Sequence, residues 1–97
     1  MNGSPHHSAR FPLGKTVITP AALALLEQVE LSPTELLSRH LHGDWGELDV
    51  ADIAQNELAL LTGKRLLSSY VIPGGGAVWI ITEADRSVTT ILLPEDY

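Results

Sequence analysis

The 97-residue sequence contains no cysteine, one methionine, one phenylalanine, two tryptophans and two tyrosines. Without cysteine there is no disulfide framework and no thiolate metal site, so the fold has to rest on packing. Cations are scarce too: six Lys and Arg stand against twelve Asp and Glu, a net charge of −6 at pH 7. A chain of that sign is poorly suited to coat phosphates, and direct nucleic-acid binding is not expected. No apolar run approaches the roughly 18–20 residues of a membrane span, and no signal-peptide pattern is present, so no membrane partner is expected. The length suits one domain, which buries about 60–65% of the surface its unfolded chain exposes. The class these absences leave is a small, soluble, cytoplasmic protein.

What is present divides into a tail and a body. Residues 1–10 are polar and without periodicity, and are expected to be a disordered leader or a cloning remnant. His6 and His7 there are adjacent metal-ligand types without a third partner. Residues 11–97 are expected to form the single domain. Phe11, Leu13, Val17 and Ile18 flank a turn at Pro12 and Gly14 and are read as pinning this segment to the core.

Three short helices follow. Thr19-Pro20 is an N-cap with proline at the first helical position, leading Ala21, Ala22, Leu25, Leu26 and Val29 at helical spacing. Ser32-Pro33-Thr34-Glu35 repeats the device with a capping box, ahead of Leu36, Leu37 and Leu41, and Gly43 stops that helix. The third begins near Asp49. Val50, Ile53, Ala54, Leu58 and Leu61 line one face of it, taken as its core face, and Gly63 closes it. Residues 65–72, 77–82 and 87–93 are rich in β-branched and aromatic residues, separated by Pro73–Gly76 and Glu83–Arg86. Short connections predict an antiparallel meander. The fold class expected is α+β, in two layers: three N-terminal helices packed on a three-stranded antiparallel β-meander, ααα-βββ.

The densest chemistry lies in His40-Leu41-His42-Gly43-Asp44-Trp45-Gly46. His40-x-His42-x-Asp44 resembles the metal-binding string of the metallo-β-lactamase fold. That fold needs about twice this length and further ligands that have no counterpart here, so neither a metal nor another cofactor is expected. Structurally, Trp45 plugs a helix–helix corner while Asp44 and Gly46 shape the loop. Asp52 and Asn56 lie four apart on one helix face and are within reach of that loop. Arg65, Ser69 and Tyr70 are placed across the meander from Thr82, Asp85, Arg86, Thr89 and Thr90, on a sheet face that is partly hydroxylated. The glycines at 74–76 are a hairpin tip, since no Gly-Lys-Ser/Thr follows.

The strings Phe11–Lys15, HLHGDWGEL at 40–48, NELAL at 56–60, GKRLLSSY at 63–70 and WIITEADRSVTTILLPEDY at 79–97 resemble a family of small bacterial plasmid-related proteins. Members of it are sometimes grouped with type I restriction systems. The pattern includes Gly43, Asp44, Trp45, Gly46, Asn56, Arg65, Ser69, Tyr70, Thr82, Glu83, Asp85 and Arg86, and the closing -PEDY departs conservatively from the -PEEY it implies. The resemblance implies a prokaryotic protein of plasmids, phages or integrated elements. It carries no activity over.

Two functional readings follow. The first is a non-enzymatic accessory protein that binds an as yet unknown protein partner, as an inhibitor in host-defence conflict. Its binding residues would be Asp44, Trp45, Asn56, Arg65, Ser69, Tyr70, Asp85 and Arg86, and an edge strand, 65–72 or 87–93, could join two copies. The alternative is a metal-independent ribonuclease-like toxin with the helices-then-strands layout of barnase and RelE. His40 or His42 would act as base and Arg65 or Arg86 would hold phosphate. Charge weighs against it, because residues 27–97 hold all twelve acids and four bases, a net −8.

Overall fold

In the computed structural model the described residues are 8–97; His6 and His7, with most of the leader expected over 1–10, lie outside them. The described residues form three α-helices and a four-stranded sheet, in the order β1 (Lys15–Ile18), α1 (Pro20–Gln28), α2 (Pro33–Leu41), α3 (Val50–Thr62), β2 (Leu66–Val71), β3 (Ala77–Thr82) and β4 (Val88–Leu92). A short 3-10 turn, Pro94–Asp96, follows.

The helix punctuation acts locally, as the sequence suggests. Thr19 accepts from the Ala22 N–H at 3.2 Å, and Pro20 takes the first turn of α1. Ser32 caps α2 by accepting from the Thr34 N–H at 3.2 Å; the reciprocal bond from Glu35 does not form, so this is a cap without the full box. Asp49 caps α3 through the Asp52 N–H at 2.8 Å, and Gly63 ends it in the left-handed conformation.

The sheet differs from the expected meander. β2, β3 and β4 do run antiparallel in sequence order, but β1 adds a fourth strand parallel to β4, giving the order β1-β4-β3-β2 and a mixed sheet. All three helices lie within the β1-to-β4 crossover, as a parallel pair requires a long connection. Gly14 allows the entry into β1. With φ +65, it lies so close to the Arg86 and Ser87 carbonyls that a Cβ would collide with both.

Two clusters make the core. Ala22, Leu26 and Leu36 from α1 and α2 pack on Tyr70, Ile72, Val78, Ile80 and Ile91 of the sheet. Phe11, Trp45, Ala59 and Leu66 form the second, nearer α3. Phe11 thus pins the N-terminal segment as expected. Arg10, assigned by sequence to the leader, is also held by the body: its N–H bonds the Leu41 carbonyl at 3.0 Å and its guanidinium bonds both oxygens of Glu57.

Helix α3 is turned the other way from its expected orientation. Its buried residues are Asn56 and Ala59, whereas Val50 is 84% exposed, Leu61 86% and Leu58 53%. Asn56 sets this rotation. Its side chain is committed to the backbone of β2, and a buried amide must keep such partners. The apolar stripe therefore points away from the core.

Candidate functional site

The loop after α2, from His42 to Leu48, braces the outer edge of β2. Trp45 and Glu47 exchange backbone hydrogen bonds with Ser69, at 3.0 and 2.7 Å, as a short parallel bridge around Gly46. The Glu47 carboxylate accepts from the Val71 N–H at 3.1 Å, and Asn56 pairs with both peptide groups of Leu67, at 2.6 and 3.1 Å. Gly46, with φ +78, is required because a Cβ would enter the Ser69 carbonyl. β2 is an outer strand of the sheet, as expected, and β4 is not. The 65–72 edge is covered by this loop and by Asn56, and the 87–93 strand is internal, paired with β1 on one side and β3 on the other.

Within the loop each polar group has an assigned partner. Arg39 binds Asp44 at 2.7 Å and lies 4.5 Å over the Tyr70 ring; its hydrogen bond holds the Asp44 carboxyl below the usual aspartate range. The Tyr70 hydroxyl donates to the Asp44 carbonyl at 2.7 Å, and burial pushes its pKa up to about 12. The Trp45 indole, 4% exposed, donates to Glu57 at 2.9 Å, and Glu57 is held below its ordinary range first by Arg10 and then by this indole. Trp45 is thus a corner plug, packed with Phe11, Ala59 and Leu66. Asp52 and Asn56 take no side-chain bond from the loop, contrary to expectation; Asn56 bonds β2 instead.

His40 is fully buried, its ring in T-shaped contact with Phe11 and Trp45, at centroid distances of 5.2 and 5.7 Å. Both nitrogens are engaged, Nδ1 with Ser68 at 2.6 Å and Nε2 with Thr82 at 2.9 Å. Thr82 meets Thr89 at 2.7 Å, and Thr89 meets the Leu13 carbonyl at 2.7 Å. Proton counting fixes the direction of this chain. A carbonyl only accepts, so Thr89 donates to Leu13 and accepts from Thr82. Thr82 then accepts from His40, which carries its proton on Nε2 and accepts from Ser68 on Nδ1. Burial, aided by the nearby Arg86 charge, pushes the His40 pKa down to about 4, so the ring is neutral. The chain ties α2 to β2, β3, β4 and the segment before β1.

The sheet separates residues that the sequence reading had placed together. Ser68, Tyr70, Thr82 and Thr89 are buried beneath the helices, whereas Ser69 and Thr90 alternate to the opposite face. Hydroxyls thus stand on both faces: Ser68, Thr82 and Thr89 on the covered one, and Ser69 and Thr90, beside Leu67 and Trp79, on the half-exposed one. Arg86 donates to the carbonyls of Lys64, Glu83, Ala84 and Ala59, so its guanidinium caps the C-terminal end of α3 and the β3–β4 turn. Arg65 donates to the Tyr97 hydroxyl at 2.6 Å, and Tyr97 packs on Trp79 at 5.7 Å. Asp85 is tied into its own turn by Ser87, which lowers its pKa. His42 bonds the Ser38 carbonyl at the end of α2. His40, His42, Arg65 and Arg86 are not gathered around one open site, and His40 presents no free nitrogen to a substrate. Of the eight expected binding residues, Asn56 and Arg65 line one cleft together, of about 200 Å³, with Leu48, Asp52, Gln55, Leu66 and Leu67.

The surface that remains is the outer side of α3. Val50, Ile53, Ala54, Leu58 and Leu61 lie on one exposed stripe over the whole helix, 13 residues long. At its C-terminal end an open cleft of about 260 Å³ is lined by Gln55, Leu58, Ala59, Thr62, Lys64 and Arg65. The sequence displayed this stripe but not its orientation. The buried histidine was also missed as structural, although its spacing from Leu36, four residues earlier on α2, was the available signal. Among the described residues no three His, Cys, Asp or Glu side chains are grouped to hold a metal ion, and no helix is long and apolar enough to cross a membrane. No family model, curated protein or solved structure matches the chain.

Proposed function

We propose that this protein acts by binding another protein chain, not by catalysis, and that the outward face of α3 is the contact surface. The observation that carries the reading is the exposure of Val50 and Leu61, 84% and 86%, at the two ends of an apolar stripe broken only at Glu57, which Arg10 neutralises. Single exposed apolar residues are ordinary, but a stripe of them on a regular element marks an interaction surface. The commitment of His40, Arg86 and Asp44 to internal partners supports binding over acid–base chemistry. The setting we propose with it is that of an accessory protein of a plasmid or phage, working as an inhibitor in conflict with host defence.

Capture experiments test this. Tagged protein at mild salt should retain a stoichiometric chain, either another protein or an untagged copy of itself, and Leu61→Ser should release it. Failure to retain any stoichiometric chain, or retention indifferent to Leu61→Ser, overturns the reading.

A further inference from the structure

The α3 stripe has an internal symmetry that identifies its partner. Its four large apolar residues stand at 50, 53, 58 and 61, a spacing that reads the same in both directions along the helix. When two such helices lie antiparallel about a two-fold axis near their midpoint, Val50 of one faces Leu61 of the other, and Ile53 faces Leu58, so every large apolar group meets another. The same axis sets Ala54 of each copy against Glu57 of the other, a small side chain facing a carboxylate that its own Arg10 neutralises at 2.8 Å. The ends are complementary as well. Glu47, Asp49 and Asp52 are exposed at the N-terminal end of α3, and Lys64 and Arg65 are exposed at its C-terminal end. An antiparallel pair brings each acidic end beside a basic one and opposes the two helix dipoles.

We infer that the occupant of this face is a second copy of the chain, docked through α3 in an antiparallel, two-fold arrangement. This rests on the reading of α3 as a contact surface and names its partner. A helix of 13 residues is about 20 Å long. Its contact is smaller than the roughly 800 Å² per partner of a stable complex, and two chains of net charge −6 repel each other. The dimer is therefore weak and concentration-dependent, forming in the micromolar range.

The register gives a decisive test, because position 50 of each chain meets position 61 of the other. Sedimentation equilibrium over concentrations from about 10 µM to 1 mM should show wild-type dimers. Val50→Lys alone and Leu61→Glu alone should each weaken association at least tenfold, while circular dichroism and thermal unfolding stay unchanged because both side chains lie outside the core. An equimolar mixture of the two variants should recover dimers. One contact then pairs the introduced lysine with the introduced glutamate, and the other keeps leucine against valine. A wild-type monomer throughout this range overturns the inference, as does a dimer that neither substitution weakens. A mixture without rescue overturns the antiparallel register. A monomer that still captures a different protein through Leu61 overturns self-pairing alone and leaves the binding reading standing.

Discussion

Asn56 forms both halves of an amide–peptide pair with Leu67, donating from Nδ2 to the carbonyl at 2.6 Å and accepting the N–H on Oδ1 at 3.1 Å. The side chain of one helix residue thereby takes the place of a neighbouring strand at the edge of the sheet. Because a peptide N–H only donates, this pairing also fixes which way the amide faces.

Substituting Asn56→Asp keeps the shape but places a carboxylate oxygen against the Leu67 carbonyl. The buried pair loses one bond and gains a repulsion, and stability should fall by about 2–3 kcal/mol in urea unfolding at pH 7. Lowering the pH toward 4 should recover part of this loss, as the carboxyl gains a proton to donate.

His40 makes folding pH-dependent in a window of its own. Its folded-state pKa of about 4 lies below the ordinary 6.5, so the unfolded chain binds the proton more readily. Stability is then complete above pH 6.5 and is lost as pH falls from there through 4, by about 3 kcal/mol in all. The carboxylates with lowered values, Asp44 and Glu57 among them, add losses that begin at the acid end of that window, as pH falls through their ordinary 3.8 and 4.5, and continue below it. Denaturation curves at half-unit steps should show this slope, and His40→Gln should lack it between 6.5 and 4. Nitrogen chemical shifts of the ring at pH 7 should report the proton on Nε2 and not on Nδ1.

Gly46→Ala should be among the most damaging small substitutions in the chain. A positive φ of 78 disfavours any side chain, and the added methyl group has the Ser69 carbonyl in its way. About 3 kcal/mol of stability should go, with amide exchange at Ser69 and Val71 rising as the loop leaves the edge of β2. Gly63→Ala isolates the conformational part of that cost, since nothing crowds its Cβ, and should cost about 1 kcal/mol.

Leucines of similar appearance in the sequence should differ sharply. Leu66→Ala empties a fully buried site and should cost about 2–5 kcal/mol, whereas Leu61→Ala should change stability by less than about 0.5 kcal/mol. Thermal unfolding at low protein concentration, where self-association does not contribute, separates the two.

The Arg10–Glu57 pair offers a measure of what the N-terminal segment adds. Its side chains are 40% and 44% exposed, so Arg10→Ala should cost less than about 1 kcal/mol through the ion pair itself. Glu57→Leu should cost more, because it also strands the buried Trp45 N–H without an acceptor.

The sequence by itself determined the local events. Thr19, Ser32, Asp49 and Gly63 act within a few residues of where they stand, so the bounds of α1, α2 and α3 were legible. So were the three C-terminal strands, whose hairpin connections keep pairing partners close along the chain. The tertiary structure decided what depends on distant partners. Lys15–Ile18 is four residues with no hairpin signal, and becomes a strand only because Val88–Ile91 lies alongside, more than seventy residues later. The stripe on α3 announced an amphipathic helix, but periodicity is silent on which side faces inward. That was set by Asn56 bonding a strand edge whose open peptide groups do not exist until the sheet has formed. The same holds for His40, which reads in isolation as a ligand or a base. Only the folded sheet brings Ser68 and Thr82 to its two nitrogens, and with both engaged the residue holds the core together.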